Sequence, residues 1–441
     1  MRRYVFTAFL LSVASLTAGS GFAQQPPFIG MGDSLGEGVQ SDNASTVSQP
    51  HDYLFLAAHQ LGAGFSLPLI ESGPVGEAGS TTDRTRISPT TPPANLAVSG
   101  AATQDVLTSV ATSGGTQEID LVLPPYYGLS QLQIAQQLKP KTIFCWIGAN
   151  DLIGYILDSD SLNNPTYTPF PQFKAEYQQL VDGLKATGAQ VVLGNIPDLT
   201  EVAYVADNAV VQRYAGSQYS LPDGYYTTMS TVFLLKLGVF GQAELSNPKY
   251  VLSPAQITHI KNQVNLYNAA ISSIAAAAGF PVADIHAFQQ GIIDNPITLE
   301  GYTITTTYNG GAFSLDGIHP SDIGYAFFTD VFINAYNAAY NQSVPTLSVA
   351  DLTGILNNDP FIDWNGGGVV RGRPGTGLLE SEGPLLGISG DAGNLPPSGS
   401  AAAFMQIYFT AKGMDPQTAW TKADVINAVA DMLHVRQPAA Q

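Results

Sequence analysis

The chain has 441 residues, of which 45% are apolar and only 12% charged, against roughly a quarter charged in an average globular protein. Twenty Tyr and 20 Phe exclude a globally disordered chain and provide for a large core. A formal charge of −18 repels phosphate backbones and anionic headgroups, which sets the protein against nucleic-acid and anionic-bilayer partners.

Taken in order, the first residues read as an export signal rather than as fold. Arg2 and Arg3 precede an apolar run over 5–16, and Gly21-Phe22-Ala23 offers small residues for cleavage, so residues 1–23 are expected to be a signal peptide. The run is too short to span a bilayer. Ser20 stands where a lipoprotein signal would carry cysteine, so no lipid anchor is expected and the protein should be periplasmic or extracellular.

The mature chain alternates strand and helix patterns. Strands are expected at 27–31, 95–98, 141–147, 190–194 and 282–285. Helices are expected at 51–61, 129–138, 174–187, 253–278 and 323–340, the fourth opened by the capping box Ser253-Pro254-Ala255-Gln256. This alternation predicts an α/β fold, a three-layer sandwich with a mainly parallel sheet covered on both faces. The only cysteine, Cys145, sits in the apolar run 142–147 and reads as a buried, inert thiol. Neither the cysteine nor the six histidines form a zinc-ligand pattern.

Two stretches break the alternation. Residues 204–252 form an insertion in which 225–240 carries one charge, Lys236. It reads either as a buried core helix or as a lid or acyl-chain wall. The extension 345–441 has helical patterns at 349–356 and 401–433, with a break near Gly413. Between them, 365–398 is roughly 40% Gly plus Pro, which forbids a continuous helix or sheet. The extension either packs on the main domain or forms a small appended module.

Four short blocks carry the chemistry. Gly32-Asp33-Ser34-Leu35 ends the first strand and places a serine at the carboxyl edge of a parallel sheet, where such sheets bind ligands. Gly100 closes the 95–98 strand and can aim a bare backbone N–H into the same crevice, although an ordinary turn needs no more than this. Asn150, in Gly148-Ala149-Asn150-Asp151, can donate its amide to a developing oxyanion or cap the next turn. Asp316-Gly317-Ile318-His319 lets one loop supply an imidazole and the carboxylate that orients it. Asp33 reads as a local backbone acceptor rather than a second acid. His51, His59, His259, His286 and His434 have no carboxylate at that spacing.

With these blocks in this order, the chain resembles the SGNH/GDSL hydrolase family over about 27–340. The resemblance implies a flavodoxin-like hydrolase domain over 24–344. It implies a catalytic Ser34, Asp316 and His319, an oxyanion hole of Ser34, Gly100 and Asn150, and no metal or organic cofactor. It implies a serine ester hydrolase acting through an acyl-enzyme on a small-molecule or lipid ester. Carbohydrate O-deacetylation is the alternative within the fold, and a non-catalytic binding protein the alternative of another class. Trp146–Asp151 and Asn195–Leu199 resemble the lipolytic branch, whereas Gly36-Glu37-Gly38 departs from the Ser-Asp that usually follows its serine block. Gly32-Asp33-Ser34-Leu35-Gly36 also fits the Gly-x-Ser-x-Gly elbow of α/β-hydrolases. That fold, however, places its serine after several strands and separates acid from histidine.

Overall fold

The computed structural model describes residues 27–73, 76–157, 166–367, 370–373 and 401–433. The expected signal peptide lies outside the described residues, as does most of the Gly/Pro-rich stretch.

A parallel sheet organises the chain. Its strands run Phe28–Gly32, Thr142–Trp146, Gln190–Gly194 and Val282–Ala283, in that spatial order. The expected 95–98 strand is reduced to an extended edge segment. Gly30 donates to the Ala94 carbonyl, Leu96 to the Gly30 carbonyl and Val98 to the Gly32 carbonyl, at 3.0, 2.9 and 3.1 Å, which makes a single parallel bridge at Asn95. Counted along the chain, the five extended segments lie in the order 2-1-3-4-5, the doubly wound arrangement of flavodoxin-like sheets.

Alternation of side chains explains why both faces need cover. Ile29, Met31, Ile143, Cys145, Val191 and Leu193 point to one face; Phe28, Phe144, Trp146 and Val192 point to the other. All are buried, and each is worth roughly 1.5–3 kcal/mol when removed from water. On the second face the helices Tyr53–Gln60 and Asp322–Tyr340 pack together. There Tyr53 meets Trp146 edge-on at 5.5 Å and Phe332 lies 5.3 Å from Phe144. The helices Gln131–Leu138, Phe170–Lys185 and Pro254–Ala278 cover the first face, the last opened by the capping box its sequence spells.

The insertion is more divided than its composition suggested. Its strands Val205–Ala206, Tyr226–Thr228 and Val251–Leu252 form a small antiparallel sheet. The apolar run becomes only an eight-residue helix, Met229–Lys236, because Thr228 ends the strand and caps Thr231. That helix buries Val232, Phe233, Leu234 and Leu235.

The described parts of the extension pack on the rest of the chain. Val349–Asn358 lies on Asp322–Tyr340. Arg373 donates to Asp322 and to Gln40. Helices Ala401–Ala411 and Lys422–Met432 contact each other, and the second rests on Met229–Lys236 of the insertion. Lys412 bridges Glu77 at 2.9 Å and Asp431 at 3.1 Å. Among the described residues no helix is long and apolar enough to cross a membrane.

Candidate active site

The sheet register brings the blocks together. Gly32 pairs with Trp146 and Trp146 with Gly194, so the loops after those strands leave one edge side by side. The second segment is added on one side of the first strand and the third on the other, and the crevice opens at such a switch point. Ser34 follows the first segment, Gly100 the second and Asn150 the third.

Ser34 heads a four-residue helix, Ser34–Glu37, whose N-cap Asp33 accepts from the Leu35 N–H at 3.0 Å. The turn into this helix depends on Gly32. Its φ is +143°, and a Cβ there would lie 2.1 Å from the Trp146 carbonyl oxygen. Gln131 clamps the same residue, its amide donating to the Gly32 carbonyl at 2.9 Å and accepting from the Gly32 N–H at 3.0 Å. Burial pushes the Asp33 carboxyl up to about 7, against the lowering effect of the Leu35 bond.

The Asp316–His319 loop meets Ser34 across the crevice. His319 Nε2 lies 2.8 Å from Ser34 Oγ, and His319 Nδ1 lies 2.8 Å from Asp316 Oδ2. Asp316 is fixed from several sides: Oδ2 also accepts from the Asp42 N–H, and Oδ1 accepts from the Ile318 and His319 N–H groups, each at 2.8 Å. Burial pulls the imidazole down, but the charge and hydrogen bond of Asp316 outweigh it, with Asp42 and Asp33 adding, and His319 ends above its ordinary value. Burial would raise Asp316, yet His319 and the backbone donors leave it below the usual carboxylate range. An imidazole held between a carboxylate and a hydroxyl can take the hydroxyl proton.

Gly100 and Asn150 line the same cleft as Ser34 and His319. Gly100 is exposed with φ +78°, and a Cβ there would meet no atom within 4 Å. Asn150 does not cap its own turn: its Nδ2 donates to the Ala101 carbonyl at 2.9 Å, tying the two loops together. Neighbouring Asp151 is likewise turned away, accepting from Thr103 N–H at 3.0 Å and its hydroxyl at 2.7 Å. All five sequence-predicted residues thus converge.

Several supporting residues escaped sequence reasoning. Fully buried Glu37 accepts from both the N–H and the hydroxyl of Ser99, at 2.6 and 2.7 Å, which ties the Ser34 helix to the loop carrying Gly100. Arg84, also buried, stands 3.9 Å from Glu37 and pairs closely with Glu118. The one signal was a glutamate in a turn otherwise made of small residues. The Asp42 contact is made by backbone and left no trace in the sequence. The other described histidines lie elsewhere: His51 pairs with Asp322, His259 meets Tyr155, and the His286 N–H donates to Asn195. Cys145 is buried with its thiol pushed up to about 12 by burial, as an inert thiol should be. Among the described residues no cluster of three or more His, Cys, Asp or Glu is placed to hold a metal.

An apolar pocket opens beside Ser34, walled by Leu35, Ile153, Ile156, Leu199, Phe313 and Phe328 among others. Its described walls include no residue of 204–252. The family model for GDSL-like lipases and acylhydrolases matches residues 28–332. The chain belongs to that family. It is therefore a carboxylic ester hydrolase of the GDSL type. No curated protein matches the chain. Solved structures it is similar to include LAE5, an alpha/beta hydrolase from the metagenome of Lake Arreo, Spain, at 12% identity over 72% of this chain and 97% of that one, with a TM-score of 0.34. An acetylxylan esterase from Geobacillus stearothermophilus shares 11% over 70% and 94%, with a TM-score of 0.34. An extracellular lipase from Streptomyces rimosus shares 16% over 71% and 97%, with a TM-score of 0.33. At these identities and scores, none of them bears on the substrate of this chain.

Proposed function

We propose that this GDSL hydrolase is an exported serine esterase that cleaves acyl esters of moderate chain length. Ser34 is its nucleophile, His319 its base and Asp316 the orienting acid. The observation that carries this reading is the unbroken hydrogen-bond chain Ser34–His319–Asp316, 2.8 Å at each link, at the mouth of an apolar pocket.

His319 Nε2 takes the Ser34 Oγ proton as the oxygen attacks the ester carbonyl. The Ser34 and Gly100 N–H groups, with the Asn150 amide hydrogen not engaged by Ala101, receive the oxyanion. Collapse breaks the bond to the alcohol, which leaves with the proton from His319. Water then gives a proton to His319 and attacks the acyl carbon. The carboxylic acid departs and Ser34 recovers its proton.

The apolar walls of the pocket beside Ser34 suit an acyl chain rather than a polar group. Residues 1–23 would direct export and 24–344 form the catalytic unit. In this reading the insertion 204–252 braces the extension instead of walling the acyl chain.

Hydrolysis of p-nitrophenyl esters from acetyl to palmitoyl tests the reading. The apolar pocket predicts kcat/KM higher for chains of moderate length than for acetyl. Activity confined to acetyl would contradict the acyl assignment, and a folded protein inactive at every length would contradict the esterase mechanism.

A further inference from the structure

We propose that the second cavity meeting at Ser34 is the leaving-group subsite. It takes a small, uncharged, hydroxyl-bearing alcohol, and Leu433 of the extension supplies part of its outer wall. This inference rests on the esterase reading above.

Two cavities share Ser34, Asn150, Ile153, Ile318 and His319. One is the apolar pocket. The other, about 170 Å³, mixes polar with apolar walls and leaves room for a small polyol. An acyl chain gains most from the apolar pocket. The alcohol is then left with the second cleft, which His319 also lines, so the imidazole that must protonate the departing oxygen stands beside it.

The lining decides the charge of that alcohol. Asp42, Asp316 and the backbone about Gly79 and Gly100 face it, and among the described residues no lysine or arginine lines it. A phosphate-bearing alcohol would bring its charge against two carboxylates in a protein of formal charge −18. A neutral polyol would meet hydrogen-bonding groups on one side and aliphatic groups, Leu157 and Leu433, on the other.

Leu433 comes from the extension. It follows directly on the helix Lys422–Met432 and is 2% exposed. Two attachments hold it over the cleft. The helix rests on Met229–Lys236 of the insertion, and Lys412 ties the neighbouring helix to Glu77, one residue before Ala78 of the cleft wall. The extension is thereby a part of the substrate site.

The test uses the full chain and three butyrates that differ only in alcohol: methyl butyrate, monobutyrin and butyryl glycerol-3-phosphate. The wild type should prefer monobutyrin over the phosphorylated ester by about tenfold or more in kcat/KM. Equal rates would overturn the proposal, and this comparison needs no variant. Leu433→Trp should lower the ratio of kcat/KM for monobutyrin to that for methyl butyrate about tenfold. Leu433→Ala should instead raise the rate on a butyrylated monosaccharide relative to methyl butyrate. Loss of all three activities in parallel, or no change in the ratios, would place Leu433 outside the subsite. Failure of the wild type on methyl butyrate itself would overturn the esterase reading as well.

Discussion

Replacing Asp316 by Asn tests the geometry with the smallest change in shape. In the wild type Oδ2 accepts from His319 Nδ1 and the Asp42 N–H, and Oδ1 accepts from the Ile318 and His319 N–H groups. An amide has one acceptor atom and one donor group, so one pair of donors must face an NH2. With the amide nitrogen toward Ile318 and His319, two backbone N–H groups lose their acceptor. With it toward Asp42 and the ring, only the Asp42 N–H does, because the imidazole can switch tautomer and accept at Nδ1. Each orphaned donor costs roughly 1–3 kcal/mol, so the second orientation wins by about that amount. It puts a proton on Nε2, facing Ser34, and abolishes the base. The expected loss in kcat is about 10⁴-fold, or about 5.5 kcal/mol of barrier, measured on p-nitrophenyl butyrate with KM nearly unchanged. Urea unfolding should show a smaller loss, about 1–3 kcal/mol, from the one orphaned donor. A variant within about tenfold of wild-type kcat would refute the assigned role of Asp316.

Other expectations follow from single features. His319 must be neutral to act and its pKa lies above the ordinary 6.5, so kcat/KM should fall with an acid limb centred above that pH; a limb at or below it would contradict the Asp316 coupling. Asn150→Ala should lower kcat by about 10²–10³ with little change in KM, and a purely KM effect would remove Asn150 from the oxyanion site. Gly32→Ala drives a Cβ to within 2.1 Å of the Trp146 carbonyl at φ +143°. It should cost about 3 kcal/mol or more, and an unchanged urea midpoint would show that the turn is not as tight as described.

What the sequence disclosed depended on how local each cause was. The strands Phe28–Gly32, Thr142–Trp146 and Gln190–Gly194 are apolar on both faces, a pattern written within five residues. The helix Pro254–Ala278 announced itself by its cap. The 282–285 strand stops at Ala283 because Asp284 turns to accept from Ala287 and Asn195 and opens the helix Ile285–Asp294. No periodicity marks that switch. The hairpin Ile297–Leu299 with Tyr302–Ile304 is short and half-exposed, and it went unread for the same reason. Ser34, Gly100, Asn150, Asp316 and His319 were legible because each sits in a short block after a strand or on one loop. The bond from Glu37 to Ser99, the clamp of Gln131 on Gly32 and the reach of Leu433 into the cleft join residues 62, 99 and several hundred positions apart. Only the fold brings those together.

A fluorophosphonate probe tests whether Ser34 performs the chemistry. A single adduct per chain, mapped by peptide mass to Ser34, is expected. In Ser34→Ala the adduct and p-nitrophenyl butyrate hydrolysis should both disappear while the fold is kept. Labelling of another residue, or ester hydrolysis persisting in the folded Ser34→Ala protein, would contradict it.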